Sequence, residues 1–174
     1  MFAKSLPRCL IYDSLGEYQV DRRIYDLPEL CDFFIDDERS PKFFRIAYDT
    51  HLVQEHFPDF CRLVLARGNI HLIIEELDLF SSPYNTDPEF LKLLKYGRHY
   101  GVQIIGVSRR PAEVSRAFTS AATRYIIFTQ HEPRDLQYFR SIIGKTADQI
   151  NTLPKYHHLS VDFNNNTTEI MPPV

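Results

Sequence analysis

The sequence predicts an α/β domain with a mainly parallel sheet, helices on both faces and a C-terminal β-hairpin. Five short apolar runs rich in Ile, Val, Phe and Tyr alternate with segments of helical periodicity. The runs lack strict apolar–polar alternation, which is typical of strands that are covered on both faces. A turn-rich tail follows the last helical segment. Strand and helix alternating in this way indicate right-handed crossovers in a doubly wound sheet.

Each predicted strand is an apolar run that ends in polar residues. Its β-branched and aromatic residues suit a buried strand better than an exposed one. The five predicted strands are Arg8 to Asp13, Phe43 to Tyr48, His71 to Glu76, Val102 to Ser108 and Tyr125 to Thr129.

The helical segments between these runs carry start and stop signals. Thr50 to Arg67 has apolar residues near helical spacing. Asp87 can cap a helix that has Pro88 in its first turn and that ends at Gly101. Two further prolines predict helix starts, and the segments that follow them are Ala112 to Ala122 after Pro111, and Arg134 to Ile143 after Pro133 with Gly144 as the stop.

The tail differs from the rest of the chain. His157 to Phe163 and Thr168 to Met171 flank an Asn-rich turn at residues 164–166. Two short apolar segments joined by turn residues predict a terminal β-hairpin.

Length and composition limit the function classes. The 174 residues predict one domain spanning 1–174. A net charge of -3 gives no global positive field, so DNA binding needs a local patch or an assembly. Cys9, Cys31 and Cys61 have no metal-ligand spacing and are expected to be reduced thiols. With no long apolar run and no signal peptide, we expect a cytoplasmic protein without a membrane span.

Charged residues follow several predicted strands at the point where each strand ends. Asp13 and Glu17 follow the first strand, Glu75 and Glu76 close the third, and Arg109 follows the fourth. The carboxyl ends of parallel strands share one rim, where ligands of open α/β sheets bind. Carboxylates and arginines there suit metal-phosphate chemistry. The alternative is that these are ordinary polar strand ends.

The acidic pair is the sharpest feature. The apolar residues at 72–74 followed by Glu75 and Glu76 approximate a Walker B pattern. In that pattern the first acid organises Mg²⁺ through water, and the second polarises the attacking water. A strand end with two solvated acids is the alternative.

Three further segments occur with this pair in a fixed order. Residues 10–18 read LIYDSLGEY, residues 97–102 read GRHYGV, and residues 108–111 read SRRP. Together they resemble the "D-x-x-G-E-Y", "GRHxG" and "QRP" segments of HerA/FtsK-type DNA-translocating ATPases. The resemblance spans about Pro7 to Pro154.

This resemblance implies a RecA-like ATPase core that works in a ring and binds ATP with Mg²⁺ between neighbouring subunits. Glu76 matches the catalytic acid, Glu75 matches the acid that organises the metal, and Arg109 falls at the polar sensor position. Asp13, Glu17 and Arg98 are the candidate nucleotide-binding residues, and Arg98 is the one that could reach a neighbour's nucleotide.

The sequence departs from the family pattern in three ways. No GxxxxGK[ST] loop is present in the 174 residues, so the amides and lysine that cradle phosphates are lacking. Lys4-Ser5 has no glycine loop before it, and Met1 to Leu6 reads as the stub of the helix that normally follows. Glu75 replaces the usual Asp, and Arg109 replaces the usual Gln.

The missing loop strand has a structural consequence. In the family it lies between the fourth and fifth strands named above, so its loss exposes two apolar edges. We expect these strands to pair directly or to receive a donated strand.

Three functions follow from this pattern. The chain can be an ATPase core of a DNA translocation or packaging system, of viral or mobile-element type, that is inactive until a partner supplies the phosphate loop. It can be a truncated ATPase. The third possibility is a non-catalytic oligomerisation module that retains the fold.

Overall fold

The structure, a computed structural model, describes residues 6–39, 42–51 and 53–173. The Lys4-Ser5 pair and most of the expected helix stub lie outside these residues. The chain forms two compact units, Met1–Arg109 and Arg110–Val174. The prediction that 1–174 is a single domain stays a prediction.

The first unit is built on a five-stranded parallel sheet with the order β2-β3-β1-β4-β5. Three of the predicted strands are its central members, and every neighbouring pair of strands in the sheet is parallel. This confirms the predicted α/β class. The strands are β1 (Cys9–Tyr12), β2 (Arg22–Ile24), β3 (Arg45–Tyr48), β4 (His71–Ile74) and β5 (Gln103–Gly106).

Three helices of the first unit pack beside one another in chain order, and the second of them packs against this sheet. They are α1 (Leu27–Arg39), α2 (Val53–Arg67) and α3 (Pro88–Tyr96). The α2 residues Phe57 and Phe60 place their rings 5.3 and 4.5 Å from the ring of Tyr12 on β1. These fully buried rings fill the space between layers, because aromatic side chains bury the most apolar area per residue.

The cap of α3 agrees with the sequence. One carboxylate oxygen of Asp87 accepts hydrogen bonds from the backbone N–H groups of Glu89 and Phe90, at 2.8 and 3.1 Å. The helix ends at Tyr96 and continues as a 3-10 turn to Tyr100. Gly101 then has φ +72, and a Cβ there would lie 2.4 Å from Asn69 Oδ1.

Two elements of this unit are absent from the sequence predictions. β2 has only three residues and begins with two arginines, so it lacks an apolar run. α1 carried a readable signal: Asp26 accepts a hydrogen bond from the backbone N–H of Glu29 at 2.8 Å, with Pro28 in the first turn. An acidic cap and a proline at this spacing mark a helix start.

The second unit contains a three-stranded antiparallel sheet with the order β6-β7-β8. Its strands are β6 (Arg124–Phe128), β7 (His158–Asp162) and β8 (Thr167–Met171), and the last two form the predicted hairpin. Its helices are α4 (Arg116–Thr119) and α5 (Pro133–Ile143). The core of the unit comprises Ile127, Tyr138, Phe139, Ala147, Ile150, Leu153, Leu159 and Val161.

Two sequence expectations need correction here. The fifth apolar run is not a parallel strand, because β6 pairs antiparallel with β7. The helix predicted after Pro111 is instead a 3-10 turn, Pro111–Glu113, and the four-residue α4. Ser115 separates them and caps α4 through the backbone N–H of Ala117 at 3.1 Å.

The expected direct pairing of β5 with β6 is also wrong. β5 pairs only with β4 along its described edge, and β6 pairs with β7. The physical reason is that β6 pairs along one edge with β7 of the hairpin and so belongs to the antiparallel sheet of the second unit. A strand donated to the free edge of β5 stays a prediction. Within the described part of the chain, no helix has the length and apolar character needed to span a bilayer.

Candidate active site

The candidate site lies at the carboxyl ends of β1, β4 and β5, which are neighbours in the sheet. The backbone N–H of Glu75 donates to the carbonyl of Tyr12 at 3.1 Å, and that of Val107 donates to Ile74 at 2.9 Å. These bonds continue the parallel ladders one residue beyond each strand. Asp13, Glu75 and Val107 therefore stand side by side at one edge of the sheet, as the sequence predicts. We call this edge the acidic rim.

Asp13 is the buried anchor of the acidic rim. Its side chain is fully buried, and its two oxygens accept hydrogen bonds from the backbone N–H groups of Glu17 and Tyr18 at 3.2 and 3.1 Å. Arg23 donates to it at 2.9 Å, and this hydrogen bond raises the pKa of the arginine. With its oxygens engaged, Asp13 folds the loop at 13–18 rather than facing a ligand.

Glu75 is held by a phenol. The hydroxyl of Tyr18 donates to Glu75 Oε2 at 2.6 Å, and Glu75 itself is half-buried. Burial of Tyr18 and, second, this hydrogen bond to Glu75 raise the pKa of the phenol well above its ordinary value. The phenol therefore stays protonated and acts as a donor. One oxygen of Glu75 remains for other ligands.

Glu76 has an unusual backbone and a charged partner. Its φ and ψ are 50° and 51°, the left-handed region that residues other than glycine and asparagine rarely adopt. Its carboxylate forms an ion pair with Arg109, whose side chain is 84% exposed while that of Glu76 is 14% exposed. Glu76 thus combines a strained backbone with a shielded carboxylate and an exposed arginine partner, and strained residues of this kind cluster at functional sites.

Several residues of the rim were not singled out from the sequence. Tyr18 and Arg23 hold the acids, and Ser108 donates through its hydroxyl to Asp78 Oδ1 at 2.6 Å. Tyr18 lies within the LIYDSLGEY segment, so its position was a readable signal. Arg23 and Asp78 lie in segments without a motif and were found only through their contacts.

Glu17 and Arg98 differ from the other predicted residues. The Glu17 side chain is exposed, and only its backbone N–H contacts Asp13. Arg98 lies in the 3-10 turn before β5, where the carbonyl of Tyr100 accepts from the backbone N–H of Asn69. Asn69 comes just before β4 and the turn comes just before β5, so this contact lies at the end of the sheet where both strands start. Arg98 is therefore at the opposite end of the sheet from the acidic rim. Its role towards a neighbour's nucleotide stays a prediction.

The rim fits only part of a nucleotide–Mg²⁺ site. Glu75 has one carboxylate oxygen that can face a hydrated metal, and Arg109 has an exposed guanidinium for phosphate. Among the described residues, no group of three or more His, Cys, Asp or Glu side chains could hold a metal ion by itself. The sequence also lacks the glycine-rich loop that would cradle phosphates.

The chain was compared with protein-family models, curated proteins and solved structures, and only solved structures match it. No family model matches the chain, and no curated protein matches it. The genome packaging NTPase B204 from Sulfolobus turreted icosahedral virus 2, in complex with ATP-gammaS, has a TM-score of 0.80 at 22% identity, over 99% of this chain and 85% of that one.

Two related structures give the same result. The AMP complex of that NTPase has a TM-score of 0.78 at 20% identity, over 99% of this chain and 88% of that one. B204, the DNA-packaging ATPase from Sulfolobus turreted icosahedral virus, has a TM-score of 0.70 at 19% identity, over 99% of this chain and 85% of that one. This chain therefore has the α/β fold of the viral genome-packaging NTPases.

Proposed function

We propose that this chain is the core of a HerA/FtsK-like DNA packaging or translocation ATPase whose phosphate-binding loop comes from outside these 174 residues. In this proposal the chain works in an oligomer, with ATP and Mg²⁺ bound at the acidic rim. One observation carries the proposal. Glu75, Glu76 and Arg109 meet at the carboxyl ends of adjacent parallel strands, in a fold shared with packaging NTPases.

The two acids have different surroundings, and these support different roles. Glu75 receives the Tyr18 hydroxyl at one oxygen, which leaves the other oxygen to orient the water shell of a metal. Glu76 is the shielded acid and takes the role of the base that orients the attacking water. When bound, ATP and Mg²⁺ supply the scissile phosphate and the charge that neutralises it.

The ion pair of Glu76 with Arg109 suggests a resting state. In that state a carboxylate oxygen of Glu76 accepts a hydrogen bond from the Arg109 guanidinium, and this oxygen is not available to orient an attacking water. An arginine that is 84% exposed can move to a phosphate at little cost, and this releases the acid. Arg109 thereby links phosphate binding to activation of Glu76.

The free edge of β5 supports the proposal that the phosphate-binding loop comes from outside these 174 residues. β5 is a parallel strand with one neighbour, and its last residue, Gly106, is followed by the rim residues. An edge strand whose apolar residues are half-buried is a template for one more strand. A strand added there would end beside Arg109, where a phosphate loop would complete the site.

The decisive experiment compares the chain alone with the chain that has its phosphate loop supplied. The loop is supplied by the in-frame upstream sequence or by a co-purified partner that carries a Gly-rich loop. ATPγS binding is measured by calorimetry with Mg²⁺, and ATP turnover by phosphate release. The chain alone should bind nucleotide weakly and turn nothing over, whereas the completed site should hydrolyse ATP.

Two variants make this test specific. In the completed assembly, Glu76→Gln should reduce turnover at least about 100-fold while nucleotide binding persists. Glu38→Gln, which changes an exposed acid on α1, is the matched control and should have no effect. Equal turnover by Glu76→Gln and the parent would refute the catalytic assignment. Oligomers without any nucleotide binding would favour the non-catalytic module instead.

DNA action is tested separately. Packaging or translocation requires an assembly that contacts the DNA backbone, so affinity should fall steeply with salt. The assembled ATPase should also be stimulated by double-stranded DNA. If the ATP turnover rate is the same with and without DNA, the ATPase assignment stands and the proposed action on DNA is refuted.

A further inference from the structure

The second unit contains a pocket that the ATPase proposal does not use. It opens at the end of β6 and the start of β7, next to the loop that leads into β7, and its volume is about 480 Å³. This is within the usual range for small-molecule sites, roughly 300–1,000 Å³. We call it the β6 pocket. Its principal lining residues are Phe128, His131, Asn151, Lys155, Tyr156 and His157.

Two aromatic rings of the pocket face solvent. Phe128 is 53% exposed and Tyr156 is 67% exposed, although core packing would normally bury such rings. The Phe128 ring is backed by the imidazole of His158, with 5.5 Å between ring centroids. Exposed aromatic rings of this kind are suited to stacking with another ring.

The backbone of Tyr156 holds its ring in this exposed position. Its φ is +64°, and the next residue, His157, donates its backbone N–H to the carbonyl of Pro154 at 3.0 Å. A tyrosine in the left-handed region costs roughly 1 kcal/mol of folding free energy. Because the ring is exposed, its burial recovers little of that cost, so apolar packing does not explain the conformation.

The charge around the rings has one sign. The ammonium of Lys155 lies 4.8 Å from the centroid of the Tyr156 ring, and His131 and His157 complete the polar wall. No carboxylate is among the residues lining the pocket. Asn151 adds a carboxamide with both a donor and an acceptor. The pocket therefore combines stacking faces, a cation and a group that can pair with the edge of a base.

We propose that the β6 pocket binds a phosphorylated nucleobase, with the base against Tyr156 and Phe128 and the phosphate near Lys155. An aromatic, anionic ligand satisfies all these groups together, whereas an aliphatic anion would leave the rings unused. A free mononucleotide and a nucleotide within single-stranded DNA share this chemistry. The inference does not depend on the acidic rim, which lies in the first unit.

The test is a calorimetric titration of the 174-residue chain at neutral pH with three probes: AMP, a short single-stranded oligodeoxynucleotide and inorganic phosphate. AMP or the oligonucleotide should bind more tightly than phosphate, because only they can stack. If AMP binds, the source is the free nucleotide, and if only the oligonucleotide binds, the source is single-stranded DNA. Both outcomes support the pocket.

Tyr156→Gly removes the ring and suits the positive φ, so it should fold at least as stably as the parent. It should weaken the binding probe at least about fivefold, the loss expected from one stacked ring. Tyr84→Gly is the matched control, because Tyr84 is 93% exposed in the first unit, and it should bind as the parent does.

Lys155→Gln should weaken binding and flatten its salt dependence, whereas Lys145→Gln, at another exposed lysine of the same unit, should not. Glu76→Gln should leave this binding intact, which separates failure here from failure of the ATPase proposal. The inference is overturned if neither AMP nor the oligonucleotide binds, or if Tyr156→Gly binds as tightly as the parent.

Discussion

The hydroxyl of Tyr18 lies 2.6 Å from Oε2 of Glu75 and donates a hydrogen bond to it. This contact joins the loop after β1 to the residue that follows β4. It fixes one of the two acids of the rim in a single orientation, while Glu76 beside it is held by an arginine instead. The two acids are thus held by different groups, Glu75 by a half-buried phenol and Glu76 by an exposed guanidinium.

Tyr18→Phe removes the donor and keeps the ring. We expect the free energy of unfolding to fall by about 1.5 kcal/mol, because a hydrogen bond to a charged, half-buried group is lost. Urea denaturation checks the value. Tyr84→Phe deletes a hydroxyl from a side chain that is 93% exposed and should leave stability unchanged. Equal stability of Tyr18→Phe and the parent would show that the contact does not form.

Glu76→Gly should be more stable than Glu76→Ala by about 1 kcal/mol. The reason is the φ of 50° at this position, which glycine adopts freely and alanine does not. Thermal or urea unfolding of the two variants measures the difference. Glu75 has no positive φ, so there alanine should be the more stable of the two replacements. If the glycine variant were the more stable of the two at both positions, or the alanine variant at both, the proposed backbone strain at Glu76 would be contradicted.

Asp37→Asn should cost about 3 kcal/mol of unfolding free energy. Asp37 is 4% exposed, and its Oδ2 lies 2.5 Å from both Arg8 and Arg67. Removing the shared acid leaves two arginines without their counter-charge in a largely buried place. Asp59→Asn breaks the exposed pair with Arg62 and should change stability by less than about 0.5 kcal/mol. Similar losses for both variants would show that burial does not strengthen the first pair.

The hairpin of the second unit should lose stability in acid. The ion pair with Arg124 and the backbone N–H of Asn165 lower the pKa of Asp162 from its ordinary 3.8 to about 2. A lowered carboxyl pKa stabilises the folded state above the unfolded pKa, and this stabilisation is lost as pH falls from about 4 to about 2.

Thermal unfolding followed across this range measures the effect. Asp162→Asn should be less stable than the parent at pH values above about 4, and the difference between the two should shrink towards pH 2. Asp148→Asn, at an exposed acid paired with Arg140, should show no comparable convergence. A constant gap between Asp162→Asn and the parent would contradict the prediction.

The sequence by itself determined the α/β class, four strands of the first sheet, the capped helix at Asp87 and the terminal hairpin. These features rest on local signals: apolar runs, caps, prolines and turn residues, which act over a few positions. The acidic rim was also predictable, because parallel strands place their carboxyl ends at one edge wherever they lie in the order. β2 was missed because three residues beginning with two arginines carry no apolar run.

Only the tertiary structure decided which strands pair and which side chains meet. An apolar run such as Tyr125 to Thr129 suits a parallel or an antiparallel neighbour equally, and the choice of β7 was made by packing within the second unit. Tyr18 with Glu75, and Arg109 with Glu76, are 57 and 33 residues apart, so no local pattern reports them. Local chemistry sets the elements, whereas hydrogen-bond partners far along the chain are set by how the elements fold together.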